Sequence, residues 1–300
     1  MKAVVTGARG FVGRHLTDHL TAQGSQVVSL DVDDHQPVDI TDRDAVMRRI
    51  AGVAPDVVFH LAARSHVGAS WTDGDLLTQV NVEGTRAVVD ACVEAGVERL
   101  LVVGSAEQYG AVDPASVPIA EDTPCRPLSP YGRTKVEAEQ IALAAHEEHG
   151  LGVVCSRAFN HTGPGQSAAF LVPGLASRIA AAEREGNDDI TLGNGDPVRD
   201  FSDVRDVVRA YALLAAHGAP GETYNVCSGR GVRVGDIAAE LVARAHRPLR
   251  IVTASYLVRP VDVPVLVGDP TKLVGATGWR AEHSLADTLD AVLAAARAAV

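Results

Sequence analysis

The stretch VVTGARGFVG, residues 4–13, decides how the rest of the chain is read. It starts inside a short apolar run, Lys2 to Thr6, and passes through Gly7, Gly10 and Gly13. It then enters a pattern in which Leu16 and Leu20 share one helix face. Strand, glycine turn and helix in that order form a dinucleotide-binding unit. Gly7 permits the tight turn, Gly10 lets backbone approach a pyrophosphate, and Gly13 lets the helix pack closely on the sheet. The helix N-terminus then faces the phosphates. A second apolar run, QVVSLD, ends in Asp31, where the ribose-binding acid is expected about 20 residues on.

Outward from that unit, short apolar runs alternate with helical patterns, which reads as a parallel sheet covered by helices. Strands are expected at Lys2–Thr6, Gln26–Asp31, Val57–Ala62, Leu100–Ser105 and Val153–Phe159, with helices near Phe11–Gln23, Arg43–Ala51, Asn81–Ala95 and Pro130–His149. Ligands in such sheets bind beyond the carboxyl ends of the strands. Asp31, Leu61, Ala62, Ala63 and Ser105 all fall there, on one rim. After Phe159 the regularity breaks at NHTGPGQ. A helix over Leu171–Glu185, a GNGDP turn and an amphipathic helix through RDFSDVRDVVRAY are expected, the last with Val204, Val207, Val208, Tyr211 and Leu214 on its apolar side. YNVCS reads as a short strand, and two further helices follow. The fold class is α/β, a Rossmann doubly wound parallel sheet with a smaller discontinuous C-terminal substrate domain. Residues 1–159 plus about 200–227 would form the first part, and about 160–199 plus 228–300 the second. No repeat or low-complexity segment appears.

SPYGRTK places Tyr131 and Lys135 one helical turn apart, and RLLVVGS ends in Ser105. Residues i and i+4 share a helix face, so hydroxyl and ammonium can converge. A free tyrosine, with a pKa near 10, is a poor acid or base at neutral pH. A neighbouring cation is expected to lower it into the working range. Ser105 can hydrogen-bond an oxygen held between it and the tyrosine. The trio suits moving a proton on or off a carbinol or carbonyl oxygen.

Composition narrows the class. Three hundred residues, 46% of them apolar, can bury a substantial core. No apolar run is long enough to span a bilayer, and a cytoplasmic protein without membrane contact is expected. Cys92, Cys125, Cys155 and Cys227 lie far apart without C-x-x-C, so neither a disulfide framework nor zinc is expected. A net charge of −11 argues against nucleic acid. It leaves room for an anionic small molecule met by a local arginine cluster. The histidines show no metal spacing, and His60, on VVFHLAA, reads as a packed core residue.

With both motifs placed, the chain resembles the extended short-chain dehydrogenase/reductases, in the nucleotide-sugar branch, over essentially its whole length. The likeness is strongest to the GDP-4-keto-6-deoxy-D-mannose reductases. It is carried by GSAEQYG at 104–110, RPLSPYGRTK at 126–135, AFNHTGPGQ at 158–166, DPVRDFSDVRDVVRAY at 196–211, YNVCSG at 224–229 and RPVDVPVLVGD at 259–269. The resemblance implies a catalytic trio of Ser105, Tyr131 and Lys135, with Glu107 beside it. It implies NAD(H) or NADP(H) held by Gly7, Arg9, Gly10, Phe11, Val12, Gly13, Asp31, Asp39, Ile40, Leu61, Ala62, Ala63, Asn81, Tyr131 and Lys135. Asn81 would open a helix near the nicotinamide ribose. Asp31 favours NAD, whereas Arg9 stands where NADP-using relatives carry a basic residue. A nucleotide-diphosphate sugar, a GDP-sugar foremost, would meet Ser105, Ala106, Asn160, Arg199, Arg259 and Asp262. The two arginines would take the pyrophosphate and Asp262 a nucleoside hydroxyl. The bland reading of Arg199 is a salt bridge to Asp200 or Asp203. A homodimer is implied.

Three chemistries follow. In the first, a reduced nicotinamide gives hydride to a C4 ketone while Tyr131 gives the proton. In the second, a tightly bound cofactor oxidises C4 transiently, as in 4,6-dehydratases and 4-epimerases. Dehydratases of the dTDP-glucose type carry an Asp–Glu pair after the strand-end hydroxyl. Here those positions are Ala106 and Glu107, and alanine cannot protonate a leaving group. The third, a non-catalytic NAD(P)-binding scaffold, would require a broken trio.

Overall fold

The computed structural model describes residues 1–65, 74–254, 257 and 263–299. Six parallel strands form the main sheet: β1 (Lys2–Thr6), β2 (Gln26–Leu30), β3 (Val57–His60), β4 (Arg99–Ser105), β5 (Gly152–Ala158) and β9 (Glu222–Val226), in the spatial order β2-β1-β3-β4-β5-β9. β1 pairs with β2 on one side and β3 on the other, Val5 facing Ser29 and Phe59. The chain therefore changes direction across the sheet at β1 and β3, which opens a crevice at their carboxyl ends.

Successive strand residues point to opposite faces, and both faces are covered. Ala3, Val5, Val57, Phe59 and Leu101 enter one core with Leu16 and Leu20 of α1 (Phe11–Ala22) and Val207, Tyr211 and Leu214 of α7 (Val204–His217). Leu273 of α9 (Thr271–Thr277) and Trp279 join them. Val4, Val58, Leu100 and Val102 enter the other core, with Val46 and Ile50 of α2 (Arg43–Val53), Val88 and Cys92 of α4 (Gly84–Glu94), and Ala142 of α5 (Pro130–His149).

A second body uses a smaller sheet. β8 (Val198–Asp203) pairs with β6 (Asn160–Thr162), β10 (Gly231–Arg233) and β12 (Val265–Leu266). β7 (Asp189–Leu192) pairs with β11 (Arg250–Thr253). Around them α6 (Leu171–Glu185), α8 (Val234–Ala243) and α10 (Leu285–Ala298) bury Leu175, Ile179, Ile237, Leu241 and Leu289.

Two expected elements differ. The helix expected from Asn81 begins earlier, as α3 (Gly74–Thr78), and passes through one π-helical turn, Gln79–Glu83, before α4. Asn81 thus sits inside a helical run and does not open it. The run holds Gly84, and a Cβ there would lie 2.5 Å from Ile40 Cδ1, so a larger residue would have to displace the Ile40 side chain. RDFSDVRDVVRAY is not helical throughout. Its first residues belong to β8, and Asp203 caps α7 by accepting from the Arg205 amide. Arg199 therefore lies in a paired strand, not in the expected helix.

Candidate active site

The glycine turn is shaped by close approach. Gly7 has φ +69°, and a Cβ on it would lie 2.8 Å from the Ala62 nitrogen, across the crevice between β1 and β3. Gly13 is tighter still, 2.0 Å from the Gly7 carbonyl oxygen, so its demand comes from the turn itself rather than from the sheet. α1 starts at Gly10 with no side-chain cap and no carboxylate in its first turn. Its first N–H groups are left for an anion, which the helix dipole also favours. A pyrophosphate fits this chemistry.

Asp31, at the end of β2, accepts from the Arg9 amide at 2.8 Å and the Asp33 amide at 3.0 Å, so its carboxylate braces the turn. The Arg9 guanidinium lies 3.1 Å from Asp34. Asp39 accepts from the Thr41 amide and hydroxyl, and Ile40 is buried. Leu61 and Ala62 are fixed by a directed chain. Both their amides donate to Thr6 Oγ1, which donates to His60 Nδ1 at 2.8 Å; His60 Nε2 donates to Thr85 Oγ1 at 2.9 Å, and Thr85 to the Asn81 carbonyl at 2.6 Å. Full burial, helped by the Lys135 charge, pushes His60 down to about 3, so it is a neutral core residue as read from the sequence. The Asn81 side chain accepts from the Arg64 amide and donates to the Arg64 carbonyl and to Thr134 Oγ1.

α5 opens with Ser129, whose hydroxyl accepts from the Gly132 amide at 3.0 Å, and with Pro130 in its first turn. That start brings Tyr131 against the turn after β4. Ser105 lies near enough to the Tyr131 phenol to influence it, and Ser105 Oγ accepts from the Glu107 amide at 3.2 Å. Tyr131 and Lys135 are both buried. The expected lowering of Tyr131 by the lysine is not what the structure contains. Burial pushes the phenol up to about 12; the nearby Ser105 hydroxyl pulls it down and the nearby Glu107 carboxylate pushes it further up. The Lys135 ammonium donates instead to the Val103 carbonyl at 2.7 Å, and burial lowers it to about 8.

Ala106 is buried against Tyr109, Ile119 and Phe159 and has no acidic function to offer. Asn160 starts β6, half-buried, beside Phe201 of β8. Arg199 is 7% exposed, its Nη1 donating to the Val198 carbonyl. The carboxylates proposed as its salt-bridge partners are engaged elsewhere. Asp200 accepts from Ser228, Gly229 and Gly268, and Asp203 pairs with Arg205. Arg259 and Asp262 lie outside the described residues.

One contact had no signal in the sequence. The Phe11 ring stacks on His161, centroids 6.3 Å apart at 11°, and packs edge-on against His15, whose Nε2 bonds the Pro164 carbonyl at 2.9 Å. The first helical turn is thereby pinned to the NHTGPGQ segment, about 150 residues away.

A doubly wound sheet with an open glycine turn and a Ser–Tyr–Lys trio at one rim defines a nicotinamide-dependent dehydrogenase/reductase of the extended short-chain class. Residues 3–227 match the NAD dependent epimerase/dehydratase family, and the chain belongs to it. It is 33% identical to the GDP-6-deoxy-D-mannose reductase of Pseudomonas aeruginosa over 292 residues, 96% of this chain and 95% of that one. Among solved structures, RMD from Pseudomonas aeruginosa complexed with NADPH superposes with a TM-score of 0.90 at 32% identity, covering 100% of this chain and 99% of that one. The UDP-glucose 4-epimerase of Thermus thermophilus, in complex with NAD, gives 0.90 at 30% identity over all of both chains.

Proposed function

We propose that this protein reduces the C4 ketone of a nucleotide-linked 4-keto-6-deoxy sugar with NAD(P)H, converting GDP-4-keto-6-deoxy-D-mannose to GDP-6-deoxy-D-mannose. The observation that carries the reading is the pair of buried residues Tyr131 and Lys135, one helical turn apart on α5, seated against the turn after β4 that carries Ser105. The Pseudomonas reductase likeness over nearly the whole chain supports the substrate.

When bound, reduced nicotinamide supplies the hydride. The first turn of α1, with Arg9, Phe11 and Val12, would hold the diphosphate; Asp31, Asp39 and Ile40 would line the adenosine end; and Leu61, Ala62, Ala63 and Asn81 would lie along the crevice. A tyrosine raised to about 12 keeps its proton at neutral pH and is a weak acid, so Tyr131 would give that proton only to a C4 oxygen made strongly basic by the arriving hydride. Ser105 hydrogen-bonds that oxygen and holds it near the phenol. Lys135, lowered to about 8, keeps most of its charge at neutral pH and would hold the nicotinamide ribose. Asn160, Arg199, Arg259 and Asp262 would receive the nucleotide sugar, the arginines taking the diphosphate through their planar fork.

The second reading is a 4,6-dehydratase or 4-epimerase. Glu107 favours it, because its carboxylate is close enough to Tyr131 to raise the phenol. The buried alanine at 106 weighs against elimination. Incubation with GDP-4-keto-6-deoxy-D-mannose and NADPH or NADH decides. Stoichiometric loss of the reduced-nicotinamide absorbance supports the reductase, and turnover without net oxidation supports the second reading.

The rest of the reading is a homodimer acting in the cytoplasm, with no nucleic-acid partner. No helix among the described residues is long and apolar enough to cross a membrane. The proposed division keeps residues 1–159 and about 200–227 as the dinucleotide part and about 160–199 with 228–300 as the sugar part. Strand pairing favours moving Val198–Asp203 to the second part, and the shared core favours moving Thr271–Thr277 to the first.

A further inference from the structure

A buried polar chain lies behind Ser105, running from Gln108 of GSAEQYG to Glu139 and Arg157, which lie outside every motif. The Ser105 amide donates to Gln108 Oε1 at 2.8 Å, closing a capping box over residues 106–108. At its other end, Gln108 Nε2 donates to Glu139 Oε2 at 3.0 Å. Glu139 is gripped from the far side by Arg157, Nε to Oε2 at 3.1 Å and Nη2 to Oε1 at 2.6 Å. Arg157 also donates Nη1 to the Glu121 carbonyl and lies 4.9 Å over the Tyr109 ring. Gln108 is 0% exposed, Glu139 7% and Arg157 8%.

The chain has a direction. A carboxylate accepts only, so it dictates which end of the Gln108 amide faces it, and the oxygen must then face Ser105. Gly104 leaves the room, since a Cβ there would lie 2.5 Å from Gln108 Oε1. Glu139 stands one turn beyond Lys135 and two beyond Tyr131 on the same face of α5. The bidentate pair therefore ties α5 to β5 on the helix face that carries Tyr131, and Gln108 passes that register to the turn carrying Ser105. Apolar residues of the same volume often replace a buried ion pair without loss of stability, so stability alone is a weak reason for one here.

We propose that Gln108, held by the Glu139–Arg157 pair, is a positioning residue that fixes the Ser105 backbone and so aims its hydroxyl at Tyr131. The proposal rests on the reductase reading only through the roles given to Ser105 and Tyr131.

Glu139→Gln would leave Arg157 buried without its counter-charge and is expected to compromise folding, so Gln108→Met, similar in length, carries the test. Expected is a kcat loss of about tenfold or more, with KM and coenzyme Kd within about threefold. In a Ser105→Ala background the same change should cost less than about twofold, because residues acting as a unit are not additive. A Gln108→Met kcat within about twofold of wild type, or losses that multiply in the double variant, overturns the positioning role while leaving the reductase reading intact. A Ser105→Ala enzyme with wild-type kcat overturns both. Amide hydrogen exchange followed by NMR needs no turnover. The Ser105 amide should exchange about tenfold faster in Gln108→Met, with the Leu101 and Val102 amides unchanged. An unaltered Ser105 rate overturns the proposal even if no keto sugar is reduced.

Discussion

Gly132 and Glu107 touch through backbone: a Cβ on Gly132 would lie 2.6 Å from the Glu107 carbonyl oxygen and 3.0 Å from Pro127 Cβ. The first turn of α5 is thus seated directly on the turn that follows β4, and this contact brings Tyr131 within reach of Ser105. Gly132→Ala should push the two apart. Overpacking of this kind costs about 1–3 kcal/mol, so a lowered melting temperature together with a reduced kcat is expected. A variant with wild-type kcat would mean that the contact does not set the pair.

Tyr131→Phe removes only the hydroxyl. General acid catalysis contributes about 10²–10⁴-fold, so kcat should fall by that much while coenzyme Kd, read by fluorescence titration, stays within a few-fold. Lys135→Ala should lower kcat and weaken coenzyme binding together. Unchanged coenzyme affinity in that variant would remove the coenzyme role from the lysine.

His60 makes stability depend on acid. Its folded value of about 3 lies below the ordinary 6.5, so the unfolded chain takes up the proton first as pH falls. Stability from this group is complete above about 6.5 and is lost on the way down towards 3, with a slope of at most about 1.4 kcal/mol per pH unit. Urea melts from pH 7 to pH 4 should show a shallower decline for His60→Gln than for wild type, although the variant is less stable at pH 7. Parallel declines would remove the histidine from the acid response.

Coenzyme choice turns on three groups at one corner of the rim. Asp31 spends its carboxylate on the Arg9 and Asp33 amides, while the Arg9 guanidinium is paired with Asp34. Asp31→Asn keeps an acceptor for the turn and removes the charge that repels a 2′-phosphate, so the NADPH to NADH ratio of kcat/KM should rise. Asp34→Asn, by releasing Arg9, should move the ratio the same way, and Arg9→Ala should lower it. A flat ratio for Asp31→Asn with a fall for Arg9→Ala would make the arginine the determinant.

Local signals were legible and long-range ones were not. α5 and α6 fall at Pro130–His149 and Leu171–Glu185 as expected, because each has a proline near its start and a left-handed glycine, Gly150 or Gly186, just past its end. β8 was hidden because Asp200, Ser202 and Asp203 look solvated. In the fold Asp200 gathers the amides of Ser228, Gly229 and Gly268, which no local pattern announces. At the site, the spacing of Tyr131 and Lys135 was readable, but the direction of the ammonium was not. That depends on Val103, a carbonyl on another element, and on burial that removes the phenol from water. The stack of Phe11 on His161 escaped for the same reason.

Arg199 separates substrate binding from architecture. It sits in β8, paired through Val232 on one side and Leu266 on the other, so Arg199→Ala should cost some stability through lost packing. If the guanidinium also takes the substrate diphosphate, a charge-assisted contact of about 1.5–3 kcal/mol disappears, and KM for the nucleotide sugar should rise roughly tenfold or more. Coenzyme Kd should stay near wild type, and part of the loss should reach kcat through poorer positioning of C4. Arg199→Lys should recover charge but not the bidentate fork, and so restore KM only in part. Steady-state kinetics and thermal melts on the folded variants decide between the roles. A large fall in melting temperature with an unaltered KM would make Arg199 purely structural and leave diphosphate binding to other groups.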